Sequence, residues 1–202
     1  MTFTILSVCT GNICRSPVAE LILADALAGV ADVQVESAGT GALVAHGVPV
    51  PAQLLAAQRG IDTTAHRARQ VDTSMIRGAD LILTMAREHR RAVVEHVPAA
   101  MRRAFTLREL ARIADVVEAD VPAALAAANA TTATQGMAAA VSLAAAMRGT
   151  VPPPASPEEF DIVDPYRRSD EVYAASFSEL APAADRVAGF LLHAARLAQP
   201  SS

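Results

Sequence analysis

Phe3-Thr4-Ile5-Leu6-Ser7-Val8-Cys9-Thr10-Gly11-Asn12-Ile13-Cys14-Arg15-Ser16-Pro17 runs from an apolar segment through a cysteine-led loop into a helical pattern, and that order decides the fold. Phe3 to Val8 is short and rich in apolar and β-branched residues, as a parallel strand buried on both faces is. After Ser16 the period changes. Val18, Leu21, Ile22 and Leu23 give an apolar face, Pro17 suits a first helical position and Ser16 an N-cap, so a helix is expected from about Ser16. At such a junction successive N–H groups and the helix N-terminus converge on one point and attract an anion.

The residues of the loop say which chemistry the anion would meet. Arg15 follows Cys9 by six positions, and its planar guanidinium can grip two phosphate oxygens where a lysine would offer a point charge. Cys9 would lie beneath the phosphorus, in a positive environment that favours thiolate over thiol. Thr10, Gly11, Asn12, Ile13, Cys14, Arg15 and Ser16 form the expected phosphate cradle, with Cys9 as nucleophile. A lone buried cysteine would be inert packing. The glycine, the asparagine, the Ser-Pro helix start and the strand in front fall where an anion cradle needs them.

Further along, Val33 to Val35 reads as a short second strand and Val50 to Gln58 as a helix ending at Gly60. Ala79 to Thr84 reads as a third strand, Arg87 to Val97 as a helix closed by Pro98, and Ala104 to Leu107 as a fourth strand. Strands alternating with helices imply right-handed parallel crossovers, so the expected class is α/β: a single domain, 1–202, with a four-stranded parallel twisted sheet and helices on both faces. Sites in such sheets lie at the carboxyl ends of strands, where Cys9 is. Between about 111 and 157 the chain is Ala-rich and ends in a triple proline, read as an insertion of one or two helices and a stiff linker.

The Cys9 to Pro17 loop resembles the signature of the low-molecular-weight protein-tyrosine phosphatases. Glu36 to Val44, Gly60-Ile61, His66 to Gln70, Asp80 to Met85 and Asp164 to Ser169 resemble further landmarks of the family, and the likeness is nearest to its bacterial, exopolysaccharide-associated branch. It covers about 2–110 and 160–195. An Asp-Pro pair read alone is a turn; the resemblance makes Asp164 the general acid/base, with Asp161 the runner-up. It also implies that the Ser16 hydroxyl steadies the Cys9 sulfur, that Asn12 holds the loop open through bonds including one to Ser37, and that Glu20 and His66 form a supporting pair behind it. Cys14, by the same likeness, can close a protective disulfide with Cys9.

The reaction so implied is hydrolysis of phosphotyrosine through a phosphocysteine, with no metal or other cofactor. Leu43 and Tyr166 are the expected walls of the pocket, and Ile13 narrows its floor; related arginine phosphatases carry a smaller, polar residue at that place. Arg167 and Arg168 stand where many relatives have a second aromatic. His46, His89, His96 and His193 read as surface or helix residues, and Arg87, Arg90 and Arg91 as a solvated helix face.

Two rival readings use the same loop. A thioredoxin-coupled arsenate reductase needs a further cysteine pair, and this chain has two cysteines in all; a thiol-coupled arsenate reductase is disfavoured by the carboxylate loop. A silent anion-binding module is disfavoured by Cys9, Arg15 and Asp164 occurring together.

With 202 residues and 52% hydrophobic content the chain suffices for one sizeable core, and no apolar run is long enough to span a bilayer. A formal net charge of −4 argues against nucleic acid as the main partner. The strand begins almost at once, without a basic hydrophobic leader, so a cytoplasmic location is expected. Two cysteines within one loop cannot staple a fold. The partner implied by the resemblance is a phosphotyrosine protein, a bacterial tyrosine kinase among the candidates; oligomeric state is left open.

Overall fold

The computed structural model describes residues 1–199. In chain order it runs β1 (Phe3–Cys9), α1 (Arg15–Leu27), β2 (Val33–Gly39), α2 (Val50–Ala57), α3 (Thr73–Gly78), β3 (Leu81–Thr84), α4 (Arg87–His96), β4 (Ala104–Thr106), α5 (Leu107–Val117), α6 (Val121–Ala127), α7 (Ala133–Met147) and α8 (Asp170–Ala198). The strands pair in parallel in the order β2-β1-β3-β4, with Ile5 opposite Val35 on one side and Leu81 on the other. This is the expected four-stranded parallel sheet.

The period of two along β1 divides the core. Phe3 and Ile5, with Leu81, Leu83 and Phe105, pack against α1, α5, α7 and α8; Leu6 and Val8, with Ile82 and Ala104, pack against α3 and α4. Each large aliphatic or aromatic side chain so buried contributes roughly 1.5–3 kcal/mol over its exposed state. Burial on both faces is what makes the strands read as unbroken apolar runs.

Three local details differ from the sequence reading. Helix α1 starts at Arg15, one residue early, and Ser16 lies inside its first turn as a buried residue rather than as its cap. Strand β2 continues through Glu36-Ser37-Ala38 to Gly39, a polar stretch that carries no apolar alternation but is held by pairing with β1. Helix α3, too short to show a period, is set by Asp72, whose carboxylate accepts from Met75 N–H.

The Ala-rich region holds α6, α7 and the end of α5. The Thr106 hydroxyl and the Glu109 carboxylate cap α5 reciprocally, and Thr132 with Gln135 does the same for α7. Small side chains let α7 lie close along α8: a Cβ built on Gly136 would stand 2.4 Å from the Ala194 carbonyl oxygen and 2.7 Å from Ala198 Cβ. Gly189 on α8 has no atom within 4 Å of such a Cβ.

These two glycines should therefore respond oppositely to alanine. Gly136→Ala forces α7 off α8 and should lower unfolding free energy in urea by about 1–3 kcal/mol. Gly189→Ala gains helix propensity alone and should raise it by about 1 kcal/mol or less.

Candidate active site

The loop between β1 and α1 is built around Asn12, which is fully buried and has φ of 53°, a left-handed conformation that asparagine tolerates better than most residues. Every polar group of Asn12 is engaged. Its backbone N–H donates to Cys9 Sγ at 3.3 Å, and its carbonyl accepts from His66 Nε2 at 2.7 Å. Its side-chain Nδ2 donates to Ser16 Oγ at 2.9 Å and Ser37 Oγ at 2.8 Å, and its Oδ1 accepts from Arg69 N–H at 2.9 Å.

A second loop straps the first from outside. Thr40, Gly41 and Leu43 donate backbone N–H bonds to the carbonyls of Cys9, Thr10 and Gly11 at 2.9, 3.0 and 3.0 Å. With its carbonyls turned outward, the loop leaves its amide edges facing inward, the geometry of an anion nest. Gly39 is obligatory at this strap, since a Cβ there would stand 2.3 Å from the Thr10 carbonyl oxygen.

Cys9 is buried, with Sγ 3.0 Å from Ser16 Oγ as well as beneath the Asn12 amide. Both contacts stabilise negative charge on sulfur when they donate. Arg15 is 4% exposed; its Nη1 donates to the Ile162 carbonyl at 3.1 Å and its Nη2 lies 2.8 Å from Asp164 Oδ2. The Asp164 carboxylate is half exposed and also accepts from Tyr166 N–H at 3.2 Å. Cys9, Thr10, Gly11, Ile13, Cys14, Arg15, Leu43, Asp164 and Tyr166 thus line one cavity of about 120 Å³, joined by Gly41. Arg167, with φ of 58°, lays its guanidinium 5.0 Å from the centre of the Tyr166 ring.

Around this cavity several expected arrangements change. Glu20 and His66 lie close enough behind the loop for their charges to interact but hydrogen-bond different groups: Glu20 accepts from Ser37 Oγ at 2.5 Å, while His66 holds the Asn12 carbonyl. Glu20 therefore acts on the loop through Ser37 and Asn12, and burial pushes its carboxyl up against the opposing effect of the Ser37 bond. Cys14 is a free thiol, as is Cys9. Burial pushes Cys14 up to about 11, and its sulfur lies 3.8 Å from the Tyr173 hydroxyl.

His89 is not a surface residue. It is 2% exposed and its Nε2 lies 2.8 Å from Thr10 Oγ1 on the loop. Buried Nδ1 has no hydrogen-bond partner, which assigns the proton to Nε2 because an orphaned N–H costs more than an orphaned lone pair. Its position four residues before buried Val93, on the inward stripe of α4, is the signal that could have placed it. The three arginines of α4 are not one free solvated face: Arg87, though exposed, pairs with Asp161 and Glu158, Arg90 donates to the Ala104 carbonyl, and Arg91 lies in solvent beside Glu95. Arg69, to which the sequence assigned no role, bonds Asn12, Ser37 and Glu36.

An inward nest of amides with a buried cysteine sulfur beneath it is the arrangement that cysteine-dependent phosphatases use, and that is the class the fold and site define. The chain belongs to the low molecular weight phosphotyrosine protein phosphatase family, whose sequence pattern matches residues 4–134. It is similar to a probable low molecular weight protein-tyrosine-phosphatase, EpsP, of Ralstonia solanacearum, with 44% identity over 110 residues that cover 54% of this chain and 74% of that one. A protein-arginine-phosphatase of Geobacillus stearothermophilus is 38% identical over 110 residues, 54% of this chain and 72% of its own. The solved YwlE arginine phosphatase from that organism superposes with a TM-score of 0.64 at 29% identity, covering 94% of this chain and 93% of that one. The tyrosine phosphatase Wzb from Escherichia coli K30, solved with phosphate, superposes with a TM-score of 0.63 at 26% identity, covering 95% and 93%.

Burial, aided by the Arg15 charge, lowers His89 from 6.5 to about 4. The unfolded chain therefore takes up this proton near pH 6.5 and the folded chain only near pH 4, so the contribution is complete above the first value and lost as pH falls towards the second. Replacing His89 by glutamine should flatten the acid decline of unfolding free energy by on the order of 3 kcal/mol between pH 7 and pH 4. Denaturant titrations of both proteins across that range measure the difference in slope.

Proposed function

We propose that Cys9 is the nucleophile, Arg15 the phosphate ligand and Asp164 the general acid/base in hydrolysis of protein phosphotyrosine. The observation that carries this reading is the position of the Cys9 sulfur, under the Asn12 amide and the Ser16 hydroxyl at one end of a cavity that also contains Arg15 and Asp164.

The phosphate dianion competes with the Asp164 carboxylate for the Arg15 guanidinium. Once displaced, Asp164 takes a proton and turns to the leaving oxygen. Cys9 thiolate attacks phosphorus in line; the P–O bond to tyrosine breaks as the S–P bond forms, and the Asp164 proton goes to the phenolate. Water then attacks the thiophosphate, giving its proton to Asp164 and returning the electron pair of the S–P bond to sulfur. Loop amides and Arg15 neutralise charge on the equatorial oxygens in both steps.

Leu43, Tyr166 and Ile13 give the cavity apolar sides, which suit an aromatic ring and leave the shorter phosphoserine out of reach of sulfur. Ile13 also favours phosphotyrosine over phosphoarginine. The similarity of the chain to the bacterial protein-tyrosine-phosphatases EpsP and Wzb supports a phosphotyrosine protein as substrate, which we take to be cytoplasmic and part of exopolysaccharide assembly, with the tyrosine-rich tail of a bacterial kinase as our candidate.

Phosphate release should be measured from phosphotyrosine and phosphoarginine peptides, beside arsenate reduction. Phosphotyrosine should be preferred, Cys9→Ser should lose all turnover, and Asp164→Asn should lower kcat by about 10²-fold or more. Acid quenching should trap a phosphocysteine at Cys9. Hydrolysis surviving in Cys9→Ser would overturn the mechanism, and preference for phosphoarginine or arsenate would overturn the substrate.

For Cys14 we propose that peroxide oxidises the Cys9 thiol to a sulfenic acid with release of water, and that the Cys14 thiol then attacks the Cys9 sulfur, breaking its S–O bond so that the hydroxyl leaves with the thiol proton as a second water and a disulfide remains. Mass spectrometry of peroxide-treated protein should find that bridge and, in Cys14→Ser, sulfinic or sulfonic Cys9 in its place.

A further inference from the structure

The segment before Asp164 is held with unusual completeness. The Asp161 carbonyl accepts from Arg108 Nη1 at 2.9 Å, Ile162 N–H donates to the Met85 carbonyl at 2.8 Å, the Ile162 carbonyl accepts from Arg15 at 3.1 Å, and Val163 N–H donates to Glu179 Oε2 at 2.9 Å. Asp161 adds a side-chain anchor. Its Oδ1 accepts the Arg87 backbone N–H at 2.8 Å, and its two oxygens meet Arg87 Nε at 3.2 and 3.1 Å and Nη2 at 2.9 Å.

The residue at the N-cap position of α4, Ala86, has no capping side chain. Asp161 supplies the missing acceptor from 74 residues away, and Glu158 joins it on Arg87 Nη2 at 3.1 Å. Two residues further into α4, His89 holds Thr10 of the nucleophile loop. The start of α4 is therefore a mount shared by the loop carrying Asp164 and the loop carrying Cys9.

We infer that Asp161 and Arg87 are positioning residues for catalysis, which fix the reach of Asp164 over the phosphate loop by fastening its segment to the N-terminus of α4. The inference rests on Asp164 being the general acid. The Arg87 side chain is 42% exposed and that of Asp161 28%. A pair so accessible to water adds little to global stability, whereas small displacements of a proton donor cost rate heavily. Its consequence is thus expected in the chemistry and hardly at all in the unfolding transition.

A misplaced acid hurts most where the leaving oxygen most needs a proton. The test compares kcat/KM, which reports transfer to Cys9, for p-nitrophenyl phosphate and for phenyl phosphate, whose phenolate is the more basic. Asp161→Asn keeps a cap on α4 but loses the charged fork, and Arg87→Met keeps the apolar stem. Each should lower kcat/KM about tenfold on phenyl phosphate and less than about threefold on the nitrophenyl ester, with an unchanged urea midpoint. The double variant should be no worse than either single one. Equal losses on both esters, or no loss on either, would overturn the positioning role. Asp164→Asn runs beside them: a steep leaving-group dependence there with none in Asp161→Asn and Arg87→Met sinks this inference alone, whereas no dependence in Asp164→Asn sinks the acid assignment and the inference with it.

Discussion

One buried side chain in a left-handed conformation organises this molecule's chemistry. Asn12 is the point at which β1, α1, β2 and the segment from His66 to Arg69 meet, and all its donors and acceptors have partners within the protein. A buried network of this kind has value only when complete, because each orphaned group inside it would cost more than a bond contributes. Completeness therefore gives the loop a single shape. That shape turns amides inward and sets Cys9 beneath them, so the electrostatics around the sulfur follow from the packing of a residue that does no chemistry.

Much of the fold was readable because its signals are local. The apolar runs of β1 and β3, the change of period after Ser16 and the Cys9-to-Arg15 spacing need no knowledge of neighbours, and they sufficed for the parallel sheet and for a tight, cysteine-led loop at its carboxyl end. Other features depend on partners distant in sequence. The polar half of β2 is a strand because β1 pairs with it. His89 and Arg87 lie on a helix whose charges look like a solvated face until Thr10 and Asp161 are brought against it. Glu20 and His66 both lie behind the loop, but their division of labour, one on Ser37 and one on the Asn12 carbonyl, is a matter of ångströms that spacing cannot express.

Arg15 joins the two loops of the site in a different way. Its Nη1 is committed to the backbone at Ile162 while Nη2 meets the Asp164 carboxylate, so one guanidinium fastens that segment by its main chain and by its side chain at once. A lysine, with its charge at a point, could not divide these tasks between separate nitrogens. The bond to Ile162 keeps the segment bearing the carboxylate close to the loop independently of the contact with Asp164.

The Ala-rich excursion returns to the place it left. Arg148, just beyond α7, donates to the carbonyls of Met101 and Ala104, stacks 4.0 Å over the ring of Phe105 and pairs with Glu109 at the start of α5. Departure and return are thus fastened to each other at the end of β4, and the entropic cost of what lies between grows only slowly with its length. The helix within that detour is no mere ornament, because α7 is buried in the same core as β1 and α8. Buttoned together at its base, the excursion closes one side of the core like a clasp.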